Sequence, residues 1–384
     1  MKIINLTKTL IVTLVFSLII SCATDKDQNY TIEIVDGVKH IKNLNIPSNE
    51  NLKVQIKKEI TINGLDENSQ DSLSMFSNIM AIDVDRDGNI YVCDAISSSI
   101  KKFDSEGNFV KSIGRLGKGP GEFEFPTSFV VLDDTLYLGD HFAKRMIKYD
   151  CDGKFIDNIF VPNGVPQRLK SIGNDKFIGF VTLYSESEEG TIMDYNLEII
   201  DKKFKTVRQI TKIRKVLDVN KPSKNTGHTS FAVAKDKIYI SKNSVNDYEI
   251  KLFDLEGNLE SIIKRNYRKV QYTDKERKEK DKLLIMKNNG QKYFADCKDE
   301  YKTTINDIFY DKYDRLWVSS SFERTDKNRY DFIVDVLKDG IYMNQVKVEL
   351  CKDHDFRSYN AFVFKNGKIY VGDTEENSVK VFSY

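Results

Sequence analysis

From about Ile79 onward, short apolar runs alternate with tight polar turns. The segment AIDVDRDGNIYVCDAISSSIKKFDSEGNFVKSIG divides into an apolar run, an Asp-Gly turn, the strand IYV, a polar gap, the strand IKKF, a Glu-Gly turn and the strand NFVKSI. Gly88 and Gly107 supply the positive backbone dihedral that such hairpins need, and period-two alternation flanks both turns. Four antiparallel strands are predicted. The same order of runs and turns recurs from Phe129, Phe231, Ile305 and Ala361, and a more degenerate copy spans Leu169 to Ile210.

Six copies share residues 79–384, and 306 positions divided by six is 51 per unit, near the ~40 to 50 residues of one four-stranded propeller blade. The expected fold is therefore all-β: a six-bladed β-propeller of four-stranded antiparallel blades. The last copy stops at Val379-Lys380-Val381-Phe382, its third strand. The strand-like segment Leu52 to Ile62 lies outside the six units and can supply the missing outer strand, closing the ring and hiding its edge. One insertion, at about 266–304 between blades four and five, departs from the pattern. Thr273 followed by Glu276 is a capping-box signature ahead of good helix formers, predicting a rim helix of about four turns with a solvated Lys/Glu face.

Upstream of the repeats, Lys2 and Lys8 precede an apolar stretch from Leu10 to Ile20, about half of what a bilayer-spanning helix requires. This reads as a signal peptide over 1–21. Ile19-Ile20-Ser21-Cys22 resembles the bacterial lipobox, which makes Cys22 the lipidated residue and 22–51 a tether before a propeller at 52–384. Ala23 differs from the aspartate that retains many lipoproteins at the inner membrane, and Asp25-Lys26-Asp27 looks like a short acidic surface-export signal. The expected location is the cell envelope, lipid-anchored at the outer membrane and exposed at the surface.

Charge changes the picture by exclusion. Against 59 basic residues stand 58 acidic ones, and losing Lys2 and Lys8 with the leader leaves 57 against 58, a net of −1. No cationic excess drives binding to nucleic acid or to an anionic membrane, so the membrane partner acts through lipid. Cys93, Cys151, Cys297 and Cys351 remain in an oxidising compartment with three pairings open, and Cys93 occupies a strand slot that suits a small buried residue.

IYVCD, IKKFDSEGNF and IGRLGKGPGEFEFP resemble NHL-type repeats. With the lipobox and the six units, they make the chain similar to the six-bladed β-propeller lipoproteins of Bacteroidota over nearly all of its length after the leader. The resemblance implies the fold and an envelope location, and assigns no activity.

Asp83, Asp85, Asp87, Gly88 and Asp94 fit the spacing of a calcium loop, but the frame places them in a hairpin. The glycines of Gly114 to Gly121 lack a following Gly-Lys-Ser/Thr and read as an inter-blade loop, not a phosphate cradle. On the propeller frame, Asn78, Thr127, Arg168, His228, Thr304 and Tyr359 stand near the starts of innermost strands and ring one channel mouth. Arg115, His141, Arg145 and His354 join them from neighbouring loops. Convergent polar groups around a concavity are the default binding site. His141, His228 and His354 also raise a zinc centre, by analogy with the six-bladed peptidylglycine-amidating lyase.

The reading reached is a non-catalytic scaffold, a monomer needing no cofactor, that binds a glycan, a peptide or an envelope protein through its channel face. The alternative is a metal-dependent lyase or hydrolase with zinc on the channel axis, calcium being the less ready choice and then at the Asp83 to Asp94 loop.

Overall fold

The computed structural model describes residues 28–65, 72–188, 190–217, 229–283, 286–288, 291–293, 300–324, 332–348, 350 and 359–384. The leader, Cys22, His228, His354, Cys297 and Cys351 lie outside the described residues. Six antiparallel sheets follow one another along the chain as blades. Blade one is Ile79–Val84, Ile90–Asp94, Ser99–Phe103 and Phe109–Ile113. The innermost strands of the other five are Pro126–Leu132, Gln167–Gly173, Phe231–Val233, Ile305–Tyr310 and Tyr359–Lys365.

Blades one, three, four and five repeat the same turn for the same reason. Asp85, Asp104, Asp201, Asp254 and Asp311 each accept two backbone amides, two and four residues on, at 2.7–3.0 Å. The carboxylate thus closes the hairpin before any side chain packs. Two of these aspartates also collect a buried aromatic donor six residues on, Tyr91 OH at 3.1 Å and Trp317 Nε1 at 2.8 Å. A second aspartate ends the second strand of blades one, two and six. Asp94, Asp140 and Asp373 bond the amides of neighbouring loops on the mouth face.

Among the described residues the core forms six clusters, one at each seam between neighbouring blades. Tyr91, Cys93 and Ile100 meet Phe129, Leu136 and Ile147 between blades one and two, and Ile172 and Phe180 meet Phe231 and Ile238 between three and four. Cys93 is wholly buried and burial pushes its thiol up, as it does that of Cys151. Both thiols are free, so these two do not pair with each other.

The strand Lys57–Asn63 pairs antiparallel with Ser378–Ser383, Ile62 opposite Val379 and Ile60 opposite Val381, and completes blade six. Ile60 also packs on the blade-one turn at Gly107, whose φ is +90° and where a Cβ would lie 2.8 Å from Ile60.

The structure corrects the expected tether over 22–51. Tyr30–Val35 and Val38–Asn43 form a hairpin, and its second strand adds in parallel to the outer strand Leu259–Arg265 of blade four, making that sheet six-stranded. Ile41 is buried in the seam between blades four and five, against Gly340. Asn43 donates to the carbonyls of Lys264 and Gly340 at 3.2 and 2.9 Å and accepts from Tyr342 N at 2.8 Å. Ser48 and Asn49 then bond the backbone of Tyr342 and Met343, and Leu52, Val54 and Ile56 pack in the next seam. Residues 30–63 are thus a strap across blades four, five and six.

Two further differences concern insertions. The helix between blades four and five, α1 (Asp274–Leu283), has ten residues, just under three turns. In blade three the last three strands, Lys176–Ser187, Gly190–Asp201 and Thr206–Leu217, are twelve residues each. Phe180 pairs with Gln167, so residues 181–187 run past the inner strand by roughly 23 Å on the mouth side. Arg214 and Lys212 hold this fin together through Asp194, at 2.7 and 2.8 Å.

Asn43→Ala leaves two carbonyls and one amide without partners inside a seam. Urea unfolding should show a loss of about 3 kcal/mol; a change below about 0.5 kcal/mol would mean the strap is not bonded there.

Candidate functional site

In five of the six innermost strands the register with the second strand slips near the strand's start, between Ile79 and Ala81, Pro126 and Ser128, Gln167 and Lys170, Ile305 and Asp307, and Tyr359 and Ala361. Such bulges bend a strand and re-aim the extra residue. Here they are stacked around one axis, and the extra residues Met80, Thr127, Arg168, Leu169 and Asn306 line a cavity of about 550 Å³ at the channel mouth. Arg168 takes a left-handed backbone, φ +52°, which an arginine adopts only where the surroundings enforce it.

The wall of this cavity is mixed. Ser319, Ser320 and Ser321 supply hydroxyls, and Phe309, Phe322, Phe332 and Phe362 supply apolar surface. The helical insertion contributes Tyr272 and Glu276. Glu276 closes the capping box, receiving Thr273 N at 2.9 Å, but it is also buried and receives Lys302 Nζ at 2.6 Å. Burial pushes its carboxyl up, and the bonds from Lys302 and Thr273 more than offset this, leaving it below the usual range. Glu276 therefore ties the helix to the cavity wall, while Asp274, Lys275 and Lys278 face solvent.

Deeper in, the charges organise in two groups. Arg168 reaches from blade three to Asp307 in blade five, with one guanidinium nitrogen 3.2 Å from both carboxylate oxygens, and Asp307 also accepts from Ser230 Oγ. Below them Asp83 accepts Lys365 Nζ at 2.8 Å and Val131 N at 2.7 Å. Lys170 stands between these groups and lines both the mouth cavity and a second chamber of about 260 Å³ beneath it. Its amine donates to the Phe231 carbonyl at 3.1 Å and lies 5.1 Å over the Phe231 ring. Burial, with the Arg168 charge added, brings its pKa down to about 8 against the opposing pull of Asp307 and Asp83.

Of the residues singled out in the sequence, Thr127 and Arg168 line the cavity. The others that can be placed stand elsewhere. Asn78 is exposed and its amide bonds Asp94. Thr304 is fully buried and donates to the Asp247 carbonyl at 2.8 Å. Arg115 pairs with Glu122 at 2.8 Å, and Arg145 donates to the Glu122 carbonyl at 2.8 Å and pairs with Asp140 at 3.2 Å. Both arginines thereby fold the glycine-rich loop, whose Gly119 amide is answered by Glu122 itself. His141 sits beside the rings of Phe125 and Phe142, 6.3 and 5.7 Å away, outside the cavity. Tyr359 begins the blade-six inner strand.

Among the described residues no three His, Cys, Asp or Glu side chains are grouped to hold a metal. In the motif with calcium-loop spacing, Asp83 faces the channel, Asp85 closes a hairpin and Asp94 ties the mouth loops, three separate networks. Lys170, Asp307, Ser230 and the Glu276–Lys302 pair were not foreseen. For Lys170 and Asp307 the signal was a charged side chain on an innermost strand, where the alternation calls for small or apolar residues.

The sequence model of a family described as a 6-bladed beta-propeller matches residues 65–359. Among curated proteins none matches. Solved structures resemble the chain more widely. A Bacteroides fragilis protein described as exported is 12% identical with a TM-score of 0.52, covering 89% of this chain and 98% of that one. A Bacteroides vulgatus protein is 12% identical with a TM-score of 0.48, over 86% and 98% of the two chains. Virginiamycin B lyase from Staphylococcus aureus is 10% identical with a TM-score of 0.43, over 86% and 100%. The first of these likenesses shows the fold.

A lysine poised this way should lose its proton near pH 8 in the folded protein instead of near 10.5. Because the folded-state pKa is depressed, burial of the charged amine costs stability at neutral pH, and the cost is relieved as pH rises from about 8 toward 10.5. An NMR titration of lysine side-chain signals, assigned with Lys170→Met, checks this; a Lys170 midpoint above 10 would contradict it.

Proposed function

This chain belongs to the family of six-bladed β-propellers whose model it matches, and on that premise we propose that it is an envelope-held binding protein that takes a small polar ligand into its channel-mouth cavity. The observation that carries the reading is the ring of bulges. Five separate strands give up regular pairing at one level of the channel, and the displaced residues of four of them line one concavity. Unpaired ladder positions and a left-handed arginine cost stability, and a propeller that served only as a spacer would have no use for them. The volume of about 550 Å³ falls in the range of small-molecule sites.

Lipid on Cys22 is the second part of the proposal. The leader and lipobox support it, and export agrees with the description of the Bacteroides fragilis neighbour. Seven residues lie between Cys22 and the strand that starts at Tyr30, a reach of at most ~28 Å. An anchor there would hold the outer edge of blade four near the outer membrane, with the channel mouth to one side and open to solutes or to a glycan, peptide or envelope protein. No helix among the described residues is long and apolar enough to cross a membrane.

Thr127→Trp fills the mouth at a half-exposed position. In a thermal-shift screen of soluble metabolites and short glycans, ligands that raise the melting temperature of the natural chain should lose that effect in the variant. Retention of every shift would place binding elsewhere. Separately, Cys22→Ser should abolish incorporation of labelled palmitate and release the protein from the membrane fraction; a variant that stays membrane-bound would contradict a lipid anchor.

A further inference from the structure

We infer that the ligand is a hydroxylated monocarboxylate, of the sugar-acid type, whose carboxylate is received between Arg168 and Lys170. This rests on the reading of the mouth cavity as a ligand site, and it follows from the way Arg168 and Lys170 meet Asp307 there. Arg168 and Lys170 both line the cavity, and one carboxylate, that of Asp307, faces the two of them. Among the described residues Asp83 pairs with Lys365 below and Glu276 with Lys302 above, while Arg324 lines the mouth 4.7 Å over the Phe322 ring. At the centre, two cations thus share a single anion.

A carboxylate seated between Arg168 and Lys170 would give the second of these two cations an anion of its own. A guanidinium receives a carboxylate with two parallel N–H bonds. In this structure one Arg168 nitrogen serves both Asp307 oxygens at 3.2 Å, and that arginine side chain is 40% exposed, so its fork is incompletely used. Away from this point the wall offers Thr127, Asn306 and the hydroxyls of Ser319 and Ser320, together with the rings of Phe309 and Phe362. That combination suits a molecule with hydroxyl groups and an apolar ring face more than a plain fatty acid.

Binding and protonation are then coupled. Lys170 is faced by Arg168 on its own strand, Asp307 from blade five, and Asp83 and Lys365 from blades one and six. The blade-four strand offers the Phe231 carbonyl and ring, and the blade-two strand offers Phe129, Val130 and Val131. A carboxylate seated beside it favours the ammonium form, so the anion binds together with a proton once the pH exceeds the free-state midpoint.

The test is a chemical-shift titration of the full chain with sodium D-glucuronate, D-glucose and inorganic phosphate between pH 6.5 and 9.5. Glucuronate should bind more tightly than glucose or phosphate, and its affinity should be level below pH 8 and fall by up to about tenfold per unit above it. Lys170→Met should weaken binding and remove the pH dependence. Lys170→Arg should bind with no fall above pH 8, a rescue that a misfolded variant could not give. Equal binding of glucose and glucuronate, or preference for phosphate, would overturn the carboxylate assignment and leave the cavity as a ligand site. A pH-independent glucuronate affinity in the natural chain would overturn the role of Lys170. Failure of all three probes, when the thermal-shift screen yields a ligand that Thr127→Trp abolishes, would overturn this inference alone; failure of both would overturn the site itself.

Discussion

The pairing of Lys57–Asn63 with Ser378–Ser383 is the constraint on which the rest of the molecule depends. A propeller blade buries its faces against two neighbours, so an open ring would leave two half-cores and two sheet edges in water. Closure from the opposite end of the chain converts six local sheets into one object. The Asp83–Lys365 ion pair joins blades one and six across the closing seam, and Arg168 spans from blade three to Asp307 in blade five. Neither geometry survives if the blades can splay.

The strap does more than supply one strand. On its way from the blade-four hairpin to blade six it buries Ile41, satisfies three backbone groups through Asn43 and caps Arg265 through Asn45 at 2.6 Å. Arg265 is itself buried, paired with Asp335 and held 3.9 Å over the Tyr342 ring. A buried ion pair of this kind is costly to break on one side, because the remaining charge loses its partner while still out of water. The strap fixes the ring that carries the bulges of blades one, two, three, five and six, the left-handed Arg168 and the buried amine of Lys170.

Much of the fold was legible because hairpin chemistry is local. Asp-Gly and Glu-Gly turns between alternating strands mark a blade without reference to anything distant, and the incomplete last copy pointed to Leu52–Ile62 as its complement. The blade-four hairpin carried the same signal, Val35-Asp36-Gly37-Val38, with φ of +50° and +80° at its two central residues. It was missed because Tyr30–Val35 is an exposed edge whose alternation includes charges, as a tether's would. The site was less legible. Thr127 and Arg168 could be placed from the blade frame, whereas a bulge depends on pairing between strands and shifts the lining residues by one or two positions. Met80 and Asn306 line the cavity where Asn78 and Thr304 were expected. Lys170 and Asp307 read as ordinary strand residues until the inner strands are set around one axis.

The claim that closure by the N-terminal strand governs the whole ring is tested most directly by native-state hydrogen exchange in increasing denaturant. The amides of Ile60, Ile62, Val379 and Val381 should exchange only through the same global opening as those of Tyr91 in blade one and Trp317 in blade five, with one shared free energy and denaturant slope. Exchange of Ile60 and Ile62 through a separate opening of lower free energy, with the six blades still protected, would contradict it.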